Sequence, residues 1–243
     1  MNKIRLIILL VVAFVITSCD AVNNVTAPTD IEGGSNTYVF VAGEGSFSAP
    51  NTGTISMIDE HGTVQILDGV GNTVHAVEVY DDKLLVSING DQKILIYDIS
   101  TLGLEYNSEI LMDGQSPRDI QVIDNKAYIA TWNPDWYVYP TIAGFIKVLD
   151  LVTFEVEESI EVGIMPEGMI YSEGYLWVAN SGESSVSKVD ITSNSMISTY
   201  EVGSGPQFLS ELNGDLYIAR TFYDAEWNPA YGTSKIIAGQ VEQ

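Results

Sequence analysis

The chain has one cysteine, two histidines and ten Lys+Arg in 243 residues. A lone cysteine, Cys19, excludes any internal disulfide. His61 lies in the turn Glu60-His61-Gly62 and His75 in an unrelated loop. They leave no histidine cluster for a metal site or for paired acid–base work. His61 reads as an exposed turn residue and His75 as a loop or core histidine. Ten basic residues against 33 acidic ones give a formal net charge of −23. That field repels nucleic-acid phosphate and anionic membrane surfaces, so neither is a partner of the folded domain. The acids are scattered over strand edges and turns, and none forms a D-x-D-x-D-G calcium loop. Solvation of an exported protein in a salty environment accounts for the acidity; attraction of cationic ligands or a divalent metal is the other reading. No long segment of 3.6-residue period occurs, so helix content should be very low. A nucleophile elbow, a phosphate loop, zinc-ligand spacing and a triad are all missing. The expectation is therefore no catalytic residue, no cofactor and no metal.

What the chain does have is a module of about 40 residues with nearly fixed spacing. Glu161-Val162-Gly163-Ile164-Met165-Pro166 returns as Glu201-Val202-Gly203-Ser204-Gly205-Pro206, and more loosely as Met112-Asp113-Gly114-Gln115-Ser116-Pro117. Ten residues after each proline begins a short apolar run: Ala127-Tyr128-Ile129-Ala130, Leu176-Trp177-Val178-Ala179 and Leu216-Tyr217-Ile218-Ala219. A third strand ends in aspartate at Asp59, Asp98, Asp150 and Asp190. A fourth alternates into the next glycine, as in Val156 to Val162. Turn pairs such as Asp124-Asn125 and Asn213-Gly214 separate the first and second strands. Repeats made only of strand-sized runs predict an all-β fold, a β-propeller of four-stranded antiparallel blades.

Three regions follow. Residues 1–18 read as a lipoprotein signal peptide: Lys3 and Arg5, then a nearly unbroken apolar run from Ile4 to Ile16, too short to span a bilayer comfortably. Ile16-Thr17-Ser18-Cys19 matches a lipobox, which makes Cys19 the lipidation site and the chain anchored to a membrane, not spanning it. Residues 19–36 then carry the lipid and a polar, flexible tether. Residues 37–243 form the propeller domain.

The run from Pro166 to Gly203 resembles the YVTN, surface-layer type of propeller repeat. The chain from Tyr38 onward is similar to YncE-like, DUF5074-type bacterial lipoproteins, whose opening segment Glu44-Gly45-Ser46-Phe47 fits. The resemblance implies about seven blades. Three strands from Tyr38 to Leu67, three four-stranded modules and a last module ending after its third strand near Ile237 make only about five. The expectation is a truncated seven-bladed ring, with a small or incomplete ring as the alternative. Some relatives look like corrinoid-capture lipoproteins working beside a TonB-dependent transporter, which would place the chain at the outer membrane, exposed on the cell surface.

In a propeller, the loops entering each first strand share a face with those joining second to third strands. The entering loops carry His75, Arg118, Glu167 and Gln207; the others carry Asn89, Asn180 and two insertions, 131–140 and 221–232. Both insertions contain Trp-Asn-Pro with neighbouring tyrosines, and aromatic rings on loops suit planar ligands, sugars or a partner protein. Trp132, Asn133, Trp136, Tyr137, Tyr139, Phe222, Tyr223, Trp227 and Asn228 are the ligand-binding candidates there, with Arg118, Glu167, Asn180 and Gln207 to orient the ligand. Packing of the rings against each other, and pairing of Arg118 with Asp119 or Glu167, are the competing structural readings. Asp98, Asp150 and Asp190 read as turn-capping residues on the opposite face. Ligand or partner capture is the leading function, with corrinoid or glycan as ligand. A propeller-type hydrolase or lactonase and a structural adhesion protein are the alternatives.

Overall fold

Second strands are short runs of uninterrupted apolar residues, and in this fold such runs are buried on both faces. Leu84 to Ile88, Ala127 to Thr131 and Leu176 to Asn180 are all buried. The computed structural model describes residues 37–135, 137–138 and 141–242, and there it is entirely strand, turn and loop. The first sheet has β1 (Val39–Gly43), β2 (Thr54–Asp59) and β3 (Gly62–Asp68). The second has β4 (Val74–Tyr80), β5 (Lys83–Ile88), β6 (Lys93–Ser100) and β7 (Gly103–Leu111). The third has β8 (Ser116–Ile123), β9 (Lys126–Trp132), β10 (Phe145–Asp150) and β11 (Val156–Glu161). The fourth has β12 (Pro166–Ser172), β13 (Tyr175–Asn180), β14 (Ser185–Asp190) and β15 (Ser195–Glu201). The fifth has β16 (Pro206–Leu212), β17 (Asp215–Tyr223), β18 (Pro229–Ile237) and β19 (Gln240–Glu242).

Every sheet is an antiparallel meander in chain order. Successive first strands β4, β8, β12 and β16 pack on one another, so they are the innermost strands around a central axis. Four apolar layers fill the seams. Phe40, Ile55 and Met57 meet Val86 and Leu95 between sheets one and two. Leu85 and Ile94 meet Ile129 and Leu149 in the next seam. Ile146 and Val148 meet Leu176 and Val178. Trp177 and Val186 meet Leu216 and Ile236. Each such side chain contributes about 1.5–3 kcal/mol on burial, so the seams hold the blades in order. Among the described residues, no such layer covers the outer faces of the end sheets: Val41 and Ile66 are exposed at one end, Phe208 and Leu212 at the other.

The five-module reading holds, with two corrections. The last module does not end at its third strand: Gln240–Glu242 adds a fourth, paired through Ile236↔Val241. The segment 221–232 is not a loop: β17 and β18 run on as a long hairpin, paired from Leu216↔Ile236 to Tyr223↔Pro229. Backbone chemistry explains the tight turns in the last two sheets. Glu173-Gly174 and Asn213-Gly214 have positive φ at both positions, 51° and 85°, 55° and 84°. That is the type I′ geometry that matches strand twist.

Candidate functional site

Each inner strand carries a β-bulge just after it starts. The register with the second strand skips His75 on β4, Arg118 and Asp119 on β8, Glu167 and Gly168 on β12, and Gln207 on β16. A bulge leaves its residues out of the ladder and re-aims their side chains. The four residues expected on the entering loops therefore stand at equivalent places around the same rim.

Three of them are joined. Arg118 donates from Nε to Glu167 Oε2 at 2.8 Å and from Nη2 to Oε1 at 2.9 Å. The Trp132 ring covers the guanidinium, with Cζ 4.2 Å from the ring centroid. Trp132 Nε1 in turn donates to the Pro166 carbonyl at 3.1 Å. Glu167 also accepts from Ser181 Oγ, and His75 Nε2 lies 4.0 Å from Oε2. Burial pushes the Glu167 carboxyl upward, and Arg118 draws it back down. Burial and then Arg118 push His75 down to about 3, so it faces Glu167 as neutral imidazole. Arg118 is thus paired with Glu167 within the protein, the structural reading set beside the orienting one in the sequence. Gly168 lets two inner strands approach at this level, since a Cβ there would meet the Gln207 carbonyl at 2.5 Å.

Two carboxyls below the rim were not singled out in the sequence. Asp119 accepts from Ile120 N and Met169 N, at 3.0 and 2.7 Å. Burial pushes it up to about 6. Glu78 is pushed up to about 8 by burial first and then by Asp119. Both sit on inner strands, and Asp119 ties its strand to the next one. Asn180 is another correction: it is fully buried, donates to Ser185 Oγ and Ser187 Oγ at 2.9 Å each, and accepts from Gly163 N at 3.2 Å. Its amide closes the blade and has no free edge to present. Asp150 and Asp190 cap turns as expected, through Val152 and Thr153, and through Thr192 and Ser193. Asp98 differs: it binds Lys83 at 2.9 Å and Asn107 at 3.1 Å.

The two insertions belong to the third and fifth blades, with the fourth blade between them in chain order. In the first, Trp132 turns inward onto Arg118, Asn133 caps Asp135 N at 3.0 Å, and Tyr137 is exposed. Trp136, Tyr139 and Cys19 lie outside the described residues. The second presents its rings. Trp227 is 81 % exposed, Tyr231 77 % and Tyr223 65 %. The turn is fixed by Asp224, whose Oδ1 accepts from Glu226 N and Asn228 N at 2.9 and 2.8 Å. Trp227 is held at φ 62°, a left-handed conformation that a bulky residue rarely adopts. Phe222 is half-buried below it, beside Arg220.

Arg220 escaped the sequence reading. It pairs with Pro206 in the register where Asn180 pairs with Pro166 and Thr131 with Pro117. Its guanidinium lies against Gly203 and Gly232, 5.3 Å from the Phe222 ring centroid. Nη1 donates weakly to the Ser204 carbonyl at 3.4 Å, and Nε has no partner among the described residues. The usable signal was that register position in a chain with few arginines. Two cavities, of about 380 and 230 Å³, open elsewhere: one beside Leu67, Lys93 and Tyr106, the other on the outer face of the last sheet beside Phe208 and Tyr217.

No family model matches this sequence, and no curated protein does. Solved structures do match in fold. Kuenenia stuttgartiensis hydrazine synthase aligns at TM-score 0.64 and 16 % identity, over 77 % of this chain and 58 % of that one. The Dos1 propeller aligns at 0.57 and 13 %, over 76 % and 52 %. Saccharomyces cerevisiae Sqt1 aligns at 0.59 and 9 %, over 79 % and 55 %. This chain spans between about half and three-fifths of each of them. At such identities the likeness speaks for fold alone, and with the five meandering sheets it makes this chain a β-propeller of about five blades.

Proposed function

We propose that the chain is an exported, lipid-anchored capture protein of the YVTN-repeat, YncE-like kind, and that the fifth blade carries its contact surface. The observation that carries this reading is Trp227: the ring is almost fully exposed on a strained backbone at a turn that Asp224 fastens. Its ring meets that of Tyr223, itself exposed, 6.2 Å away between centroids, so its burial adds little to the fold, and a strained residue held in place is a mark of a functional position. Tyr223 and Tyr231 extend the platform, with Arg220 and Gln207 as polar groups on the same blade. Such a surface suits a sugar or a large amphipathic ligand such as a corrinoid, passed to or from a transporter in the outer membrane. The mechanism is capture, with no bond made or broken.

The test is titration calorimetry of the purified chain against cobalamin and a panel of small glycans. Binding that disappears in Trp227→Ala supports the reading. Binding unchanged in that variant places the site elsewhere, and no binding to any of them removes both ligand classes.

A further inference from the structure

One rule governs all four seams. A residue in the apolar run of each blade's second strand faces the next blade, where it meets the two residues that flank its own equivalent. Phe40 on β1 shares a layer with Leu84 and Val86 on β5. Leu85 on β5 shares one with Ala127 and Ile129 on β9. Tyr128 on β9 meets Leu176 and Val178 on β13 in the same way, and Trp177 on β13 meets Leu216 and Ile218 on β17. A third-strand residue of the later blade joins each time, as Ile236 does beside Leu216.

The rule leaves two half-seams over. On the fifth blade, Tyr217 stands where Trp177 stands on the fourth, and it pairs with Lys235 as Trp177 pairs with Lys188. The ammonium lies over the ring in both, 5.0 and 4.8 Å from the centroid. Ala219 follows Tyr217 at the place of Ala179. The face that the fourth blade buries is thus repeated on the far side of the fifth. There Phe208 is 47 % exposed, and a hollow of about 230 Å³ opens beside Tyr217, Ala219 and Thr233. On the first blade, Val39 and Val41 flank Phe40 as Leu216 and Ile218 flank Tyr217, and Ile58 pairs with Val39 as Ile236 pairs with Leu216. This is the aliphatic set that covers Trp177. No apolar layer takes it among the described residues, and Val41 is 37 % exposed.

We propose that these halves meet between molecules: the first blade of one copy packs on the fifth blade of a second copy of this chain. The occupant follows from the chain's own seams, since the aliphatic half on the first blade has the register and residue type that close every other seam. The contact is head to tail, because each copy contributes a different face. It leaves the Trp227 platform open. The last row of the first blade, Gly43↔Thr54, corresponds to Arg220↔Gly232, and the rows from Thr221↔Tyr231 to Tyr223↔Pro229 project beyond it. Association therefore stands or falls apart from ligand capture. The formal net charge of −23 makes the copies repel, so salt should tighten the contact by screening.

Analytical ultracentrifugation of the purified chain tests this, under reducing conditions that keep Cys19 from cross-linking copies. The parent's mass should rise with concentration up to about 100 µM, and more steeply at high salt. Val41→Asp spoils one half and Phe208→Asp the other, so each alone should stay a monomer. Mixed, they retain one good half each and should form a dimer and nothing larger. If either variant does not fold by circular dichroism, Ile66→Asp and Ser210→Asp, at exposed positions on the same two faces, replace them. A parent that is monomeric throughout overturns the proposal and means that the faces close within one molecule or on another partner. Association that persists in either single variant, or a mixture that stays monomeric, overturns it as well.

Discussion

Arg118 on β8 and Glu167 on β12 form two parallel hydrogen bonds, 2.8 and 2.9 Å long, across the seam between the third and fourth blades. Both side chains are largely buried, at 15 % and 8 % exposure. Removing one partner strands the other charge without water. Glu167→Ala should cost about 3–5 kcal/mol in a urea titration, whereas Arg118→Met combined with Glu167→Leu should cost far less. Ligand binding at the Trp227 surface should be unchanged in the double variant. An equal loss in single and double variants would show that the pair is not energetically coupled.

Asn180 should behave as a structural residue. Asn180→Leu leaves Gly163 N and the hydroxyls of Ser185 and Ser187 without their buried partner. A loss of about 2–4 kcal/mol is expected from the unpaired groups, measured by denaturant unfolding. A neutral result would mean that other groups or water replace the amide.

Glu78 and Asp119 set an alkaline limit. Their carboxyls are raised to about 8 and about 6 from ordinary values of 4.5 and 3.8. A raised acid keeps its proton in the native state where the unfolded chain has lost it. Its contribution is therefore intact below about pH 4 and is lost as pH rises through the native value. His75, lowered to about 3 from 6.5, works in the opposite sense, gaining as pH rises between those values. It is common to parent and variant and cancels between them. Glu78→Gln should be about 1–3 kcal/mol more stable than the parent at pH 9 and no more stable at pH 4. Melting curves at the two pH values check this, and a pH-independent difference would contradict it.

The blades were legible because each module repeats its own punctuation. Pro166 and Pro206 open inner strands, Glu173-Gly174 and Asn213-Gly214 turn them, and the uninterrupted run Leu176 to Ala179 marks a strand buried on both faces. Pairings across blades were not legible. Nothing local distinguishes Arg118 bound to Glu167, 49 residues away, from Arg118 bound to its neighbour Asp119. The aromatic insertions looked alike in composition, yet Trp132 covers the Arg118 guanidinium, whereas Trp227 meets only the Tyr223 ring among the described residues. The final strand was missed because Gln240–Glu242 lacks the alternation of other fourth strands and pairs over three residues only. Arg220 was missed because its meaning comes from register with Pro206, which composition does not show.

The hairpin tip should be dispensable for folding. Trp227→Gly relieves a left-handed backbone and removes an exposed ring, so stability should be unchanged or should rise by about 0.5–1 kcal/mol. Asp224→Ala frees the turn and should weaken ligand binding while leaving the melting temperature nearly unchanged. Thermal unfolding and binding measured on the same samples separate the two effects. A large drop in stability for Trp227→Gly would mean that its packing on Tyr223 holds the hairpin together and is not a contact surface.

The most direct test of the account is the calorimetric titration of cobalamin and the glycan panel into the parent chain and Trp227→Ala side by side. The account predicts saturable binding in the parent and at least about a tenfold loss in the variant, as expected for a contact worth 1.4 kcal/mol or more. Equal affinity in the two proteins would contradict it.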